Sequence, residues 1–237
     1  MTESITGFSL LELFEMGGVF MWPLLLFSVI AVAITLERGI YLLYHNLRLD
    51  DLKEKVEAAL KTNNLDEVRK YLEGNVKRRM GARVLLSLVK RAGLPEQRLE
   101  KAVEAEAISC ISSLENGFTF LTALGSISPL TGFLGTVTGM IGAFRSIAEA
   151  ADVNAQIVAG GIYEALITTV FGLAIAIVAM SAHSIFTHRV DKFASEVEVV
   201  CSDLIIGISE SGISKPHGVS GGVSKSPDSP EETESLV

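Results

Sequence analysis

IYEALITTVFGLAIAIVAMSA, residues 162–182, is the third long apolar run of this chain, and its only charge is Glu164. About 20 apolar residues cross a bilayer as a helix. A carboxylate in hydrocarbon costs about 2.5 to 3.5 kcal/mol on insertion scales, so it usually faces a protein interior or a water-filled path. The bland alternative is a Glu near a helix end whose carboxylate reaches the interface. Two more runs accompany this one. Gly17 to Leu36 is closed by Glu37-Arg38, and Gly117 to Phe144 is closed by Arg145; neither holds an Asp, Glu, Lys or Arg. The 237 residues are 49% hydrophobic, with a mean hydropathy of +0.41. The spacing predicts an all-α, polytopic membrane protein with three transmembrane helices, two of them long and extended into the cytoplasm, plus short cytoplasmic helices.

Charge placement sets an orientation. The first Lys or Arg is Arg38, residues 44–115 are dense in both, and residues 149–161 have none. Arg189 and Lys192 follow the third run. Basic residues stay cytoplasmic. This predicts the N-terminus outside, the middle segment inside, a short acidic loop outside and the C-terminus inside. Glu3, Glu12 and Glu15, with no basic residue, precede the first run, so it reads as a retained anchor and not a signal peptide. Asp and Glu balance the basic middle segment, which argues against a nucleic-acid surface.

In the middle segment Leu52, Val56, Ala59 and Leu60 fall at helical spacing, then Leu65, Val68, Tyr71 and Leu72, then Val84, Leu85, Leu88 and Val89. Asn63-Asn64, Glu73-Gly74-Asn75 and Gly93 punctuate them. Pro95 suits a helix N1 position. One uninterrupted helix is expected from about Pro95 through the second run to about Ala148, kinked at Pro129. The third span should continue through Phe193, Val197 and Val200. From Ser211 the chain is Ser, Gly, Pro and acid, which predicts a disordered tail. Its end, Ser235-Leu236-Val237, would also suit a carboxylate-binding groove.

The second run carries Gly125, Gly132, Gly135, Gly139 and Gly142 on one helical face, where small residues let backbones approach closely. They serve either a three-helix monomer or an oligomer; three helices leave little interior for Glu164, which favours the oligomer. Thr136, Thr138, Thr168 and Thr169 add hydroxyls near the depth of Glu164. Each hydroxyl either bonds back to its own helix or joins a polar path for a proton or sodium ion. No phosphate loop appears. His45, His183, His188 and His217 lack metal-ligand spacing, and Cys110 and Cys201 are too few for a disulfide scaffold or zinc site. No enzyme site, metal or cofactor is expected.

SPLTGFLGTVTGM, residues 128–140, and GGIYEALITTVFGL, residues 160–173, resemble the second- and third-span signatures of the MotA/TolQ/ExbB proton-channel family. The likeness covers about residues 17 to 205 and is nearer to ExbB and TolQ than to MotA; Leu36-Glu37-Arg38 also looks like that branch. It implies a pentamer in a bacterial inner membrane, multi-pass, with a periplasmic N-terminus and a cytoplasmic C-terminus. The pore would admit a dimer of an ExbD- or TolR-like single-span partner with a membrane aspartate. A TonB- or TolA-like protein would pass the resulting movement to the outer membrane. The ExbB role is preferred, with TolQ, another motor stator or a non-conducting membrane scaffold as alternatives. Pore residues by motif position are Thr136, Glu164 and Thr169. Helical phase disagrees mildly: at about 100° per residue, Thr168 lies about 40° from Glu164 and Thr169 about 140°, so Thr168 stays an alternative. Gly132, Gly135, Gly139, Gly142 and Pro129 are expected to pack helices. The chain then divides into five parts. Residues 1–45 hold the periplasmic N-terminus and first span, and 46–115 are cytoplasmic helices. Residues 116–188 form the pore, 189–210 a cytoplasmic helix extension and 211–237 the tail.

Overall fold

The structure, a computed structural model, describes residues 14–45, 47–62, 65–149 and 155–210. The expected break at Asn63-Asn64, residues 150–154 of the expected outer loop, His217 and the tail lie outside the described residues. Seven helices are described: α1 (Met21–Tyr44), α2 (Asp50–Thr62), α3 (Leu65–Asn75), α4 (Met80–Lys90), α5 (Glu96–Glu115), α6 (Phe118–Glu149) and α7 (Ala155–Glu210). Among the described residues three stretches are long and apolar enough to cross a membrane: Met21–Tyr44, Glu96–Glu149 and Val158–Glu210. The chain is an all-α, three-span membrane protein.

Outside the spans the apolar positions of the three short repeats meet one another. Leu52, Val56, Leu72, Val84, Leu85 and Leu88 are buried. Their partner is the far half of α7. Phe186, Val190, Phe193, Val197, Val200, Leu204 and Ile208 are all buried, at alternating steps of mostly four and three. That spacing holds one face of a helix against a neighbour over many turns. At 56 residues α7 is about 84 Å long, against about 30 Å of hydrocarbon. Polar contacts fix the docking: Lys53 Nζ lies 2.7 Å from Asp203, and Ser209 Oγ donates to Glu96 Oε2 at 3.0 Å. Cys110 and Cys201 are free thiols in this core.

Two local expectations are corrected. Pro95 is the N-cap of α5, not its first residue: its carbonyl accepts from the N–H groups of Arg98 and Leu99. The expected single helix from about Pro95 to about Ala148 is broken at Asn116–Gly117. Asn116 leaves helical geometry with ψ 132°, and Gly117 has φ +87°. Only glycine adopts that conformation without steric cost. The Gly117 carbonyl then starts α6 by accepting from Phe120 and Leu121.

Arg38 explains why the break is held. It lies in α1, which runs two turns past the apolar run, and it is only 9% exposed. Its Nη1 donates to the carbonyl of Ser113, in the last turn of α5, at 3.4 Å, and its guanidinium sits 5.3 Å from the Tyr41 ring centroid. The last carbonyls of a helix have no helical donor, and a cation there is favoured.

Candidate functional site at the α6–α7 seam

Helices α6 and α7 run antiparallel and approach to backbone contact. A Cβ at Gly132 would lie 2.7 Å from the Thr168 carbonyl oxygen, and one at Gly172 would lie 2.6 Å from the Ser128 carbonyl oxygen. Gly135 meets the Thr168 side chain, and Gly139 meets Ala165 and the Gly161 carbonyl. Gly132, Gly135 and Gly139 therefore pack as their spacing suggests. At Gly142, among the described residues and apart from its own helix backbone, nothing lies within 4 Å of a would-be Cβ. At that level Ala143 meets Gly161, because the contact stripe drifts with the helical period from 139 to 143. The seam was half read from the sequence. Its α7 side, Gly161, Ala165, Thr168 and Gly172, was missed, although small residues at steps of four and three were there to be counted.

The four threonine hydroxyls singled out in the sequence sit along this seam, and each is bonded to a carbonyl. Thr136 Oγ1 donates to Phe133 at 2.6 Å, and Thr138 Oγ1 to Leu134 at 2.9 Å. Thr168 Oγ1 donates to Ala165 at 2.7 Å and across the seam to Gly132 at 3.2 Å. Thr169 Oγ1 donates to the same Gly132 carbonyl at 3.2 Å. Thr168 is 1% exposed, while Thr136 and Thr169 are half-buried and keep an open side. Pro129 lies inside α6. It has no N–H to offer, so the carbonyl of Gly125 loses its helical donor.

Glu164 stands apart from this cluster. Its carboxylate packs on Gly18, just before α1, where a Cβ would lie 2.8 Å from Glu164 Cδ. Gly18 has φ +66°, so its glycine answers both a backbone need and the carboxylate beside it. Neighbouring Gly17 lies against Ile167 of α7. No local signal could have joined residues 17 and 18 to 164. The site thus has a carboxylate facing the start of α1 and two half-open threonines flanking the seam.

The MotA/TolQ/ExbB proton channel family matches residues 52–199. This chain belongs to that family. An ExbB-like biopolymer transport protein of Synechocystis sp. is 34% identical over 206 residues, covering 81% of this chain and 78% of the relative. The biopolymer transport protein ExbB of Salmonella typhimurium is 33% identical over 109 residues, 46% of this chain and 43% of its own. The Tol-Pal system protein TolQ of Haemophilus influenzae is 42% identical over 86 residues, 36% of this chain and 38% of its own.

Proposed function

We propose that the chain is the channel-forming stator subunit of an ExbB-type complex in a bacterial inner membrane. Its N-terminus is periplasmic, and α2–α5 and the far half of α7 are cytoplasmic. With a single-span, aspartate-bearing partner like ExbD it uses the proton motive force to energise TonB-dependent transport across the outer membrane. A homopentamer around a partner dimer is the assembly we favour. The family match supports this reading. The observation that carries the site is that Thr136 and Thr169 keep an open side where α6 and α7 touch, beside a carboxylate one helix face away.

The motif and the geometry favour Thr169 over Thr168 for the pathway, because Thr168 is closed inside the seam. In this reading Glu164 is the titrating group near the outer end, and Thr136 and Thr169 hold water further in. A TolQ role differs only in the process served, and the TolQ relative keeps it in view. A scaffold reading also has an observation behind it: the threonine hydroxyls are all spent on backbone carbonyls.

Thr136→Val and Glu164→Gln decide between channel and scaffold. Thr136→Val keeps shape and removes the hydroxyl; Glu164→Gln keeps size and removes the charge. Loss of one polar group from a dry path costs about 1 to 3 kcal/mol, roughly tenfold or more in rate. The expected result is that fall in partner-dependent proton uptake by liposomes, with expression and oligomer size unchanged. Full uptake in both variants, with assembly intact, returns the site to the scaffold reading.

A further inference from the structure

At the end of the spans next to α5, a groove of about 560 Å³ opens between α6 and α7. Beside Phe118 and Ala123 its lining carries Glu115, Thr119, Thr122, Ser126, His183 and Thr187. On α6, Thr119, Thr122, Ser126, Pro129 and Thr136 recur at steps of three, four, three and seven, which is one helix face. On α7, Thr169, Ala176 and His183 recur at seven, and Thr187 follows one turn on. The drift is only about 20° per seven residues. The groove therefore lies on the same side of the helix pair as Thr136 and Thr169. Between the two polar zones that face carries Pro129 and Phe133, an apolar collar about 15 Å long on α6.

We infer that this groove is the water-filled mouth through which the proton leaves on the α5 side, with His183 as the side chain that carries it. The inference rests on the channel reading above. Thr122 and Ser126 donate to the carbonyls of Phe118 and Thr122, so their oxygens face the groove as acceptors. Thr187 also lines the groove, although its Oγ1 is turned away from it, buried and without a partner. His183 stands edge-on to Phe118, with ring centroids 6.0 Å apart. Its imidazole accepts a proton at one ring nitrogen and releases one from the other, so its charge is restored after each transfer. Glu115, at the end of α5, is the charged side chain that lines the same groove. Lipid tails in the groove would leave these polar groups facing hydrocarbon.

Two measurements test this on the full chain in membranes. Thr122→Cys and Ser126→Cys should react with a charged methanethiosulfonate added on the α5 side at least tenfold faster than Ile127→Cys and Ile185→Cys. Ile127 and Ile185 are 46% and 56% exposed on apolar faces. The buried Cys110 and Cys201 set the background, measured on the unmodified chain. Equal, slow reaction at all four positions overturns the water-filled groove. In liposomes with the partner, His183→Ala should cut proton flux at least tenfold, and added imidazole should restore part of it. A merely structural histidine would not be rescued so. Unchanged flux in His183→Ala, or loss without rescue, overturns its role as carrier. If the unmodified complex conducts no protons, the channel reading falls instead, while the labelling still decides whether the groove holds water.

Discussion

Gly132→Ala adds one methyl group where both neighbours are backbone. Its Cβ would lie 2.7 Å from the Thr168 carbonyl oxygen and 3.0 Å from the Thr169 Cα, whereas comfortable contact needs about 3.5 Å. No rotamer can relieve this, so α6 and α7 must part locally by roughly half an ångström or more. The two hydroxyl bonds to the Gly132 carbonyl, each 3.2 Å, then stretch beyond the useful range. Thr168 keeps Ala165 as an acceptor. Overpacking costs about 1 to 3 kcal/mol, and interhelical bonds in membranes average about 0.6 each. Alanine returns about 1 kcal/mol in helix propensity. The net expectation is destabilisation by about 1 to 3 kcal/mol. Gly142→Ala, among the described residues and apart from its own helix backbone, meets nothing within 4 Å and should leave the chain as stable or slightly more so. Unfolding in mixed dodecyl maltoside and dodecyl sulfate micelles, followed by far-ultraviolet circular dichroism, measures both. Gly132→Ala at parental stability, or Gly142→Ala equally destabilised, would refute the packing argument.

Arg38→Met keeps the buried stem but leaves the Ser113 carbonyl without its donor and Tyr41 without its cation; we expect a loss of about 1 to 3 kcal/mol in the same unfolding assay, with faster proteolysis at 116–117. Parental stability and protection would show that the break holds itself. The Glu73 carboxyl is held below its usual range, first by its hydrogen bond to Lys90 and then by Arg69. That contribution is present above the ordinary carboxylate pKa of about 4.3 and is lost as pH falls through the lower folded value. Glu73→Gln should therefore lose less stability between pH 5 and pH 3 than the parent; equal acid limbs would contradict the pairing.

Periodic features of the fold were legible in the sequence, and features made by distant partners were not. The heptad-like burial from Phe186 to Ile208 follows from apolar residues at three and four, which any reading of period can find. The helix Leu65–Asn75 ends at the Asn75 that the sequence reading offered as a stop. The break at Asn116–Gly117 was misread because apolarity continues across it: the pattern of Leu114, Phe118 and Leu121 does not falter. What fixes it is Arg38, 79 positions earlier, whose charge belongs to the end of another helix. The same reason hid the contact of Glu164 with Gly18. A positive-φ glycine and a carboxylate 146 positions away are each unremarkable alone. In the site, helical phase put Thr168 nearest Glu164, and the fold then spent that proximity on packing: its hydroxyl spans the seam to Gly132.

The polar groups of the spans are divided in a way that bears on mechanism. Thr168, 1% exposed, ties α6 to α7, so the seam itself is closed to ions. Thr136 and Thr169 reach the surface of the pair, and the large exposed side chains around them are apolar: Leu130, Phe133, Val137, Leu166, Val170 and Leu173. A hydroxyl on such a surface, facing lipid, gains nothing. Facing a second polar surface, it completes a path that neither side has alone. Glu164 repeats the pattern, since its carboxylate rests on a bare backbone at Gly18 and has no cation beside it among the described residues. In the channel reading proposed above, a single chain supplies half of a proton path, a rigid wall with acceptors at intervals, and leaves the other half to whatever packs against it. That incompleteness supports a channel subunit over a scaffold: a scaffold has no use for a lone carboxylate inside a span, whereas a channel whose conduction depends on its partner must keep one uncommitted.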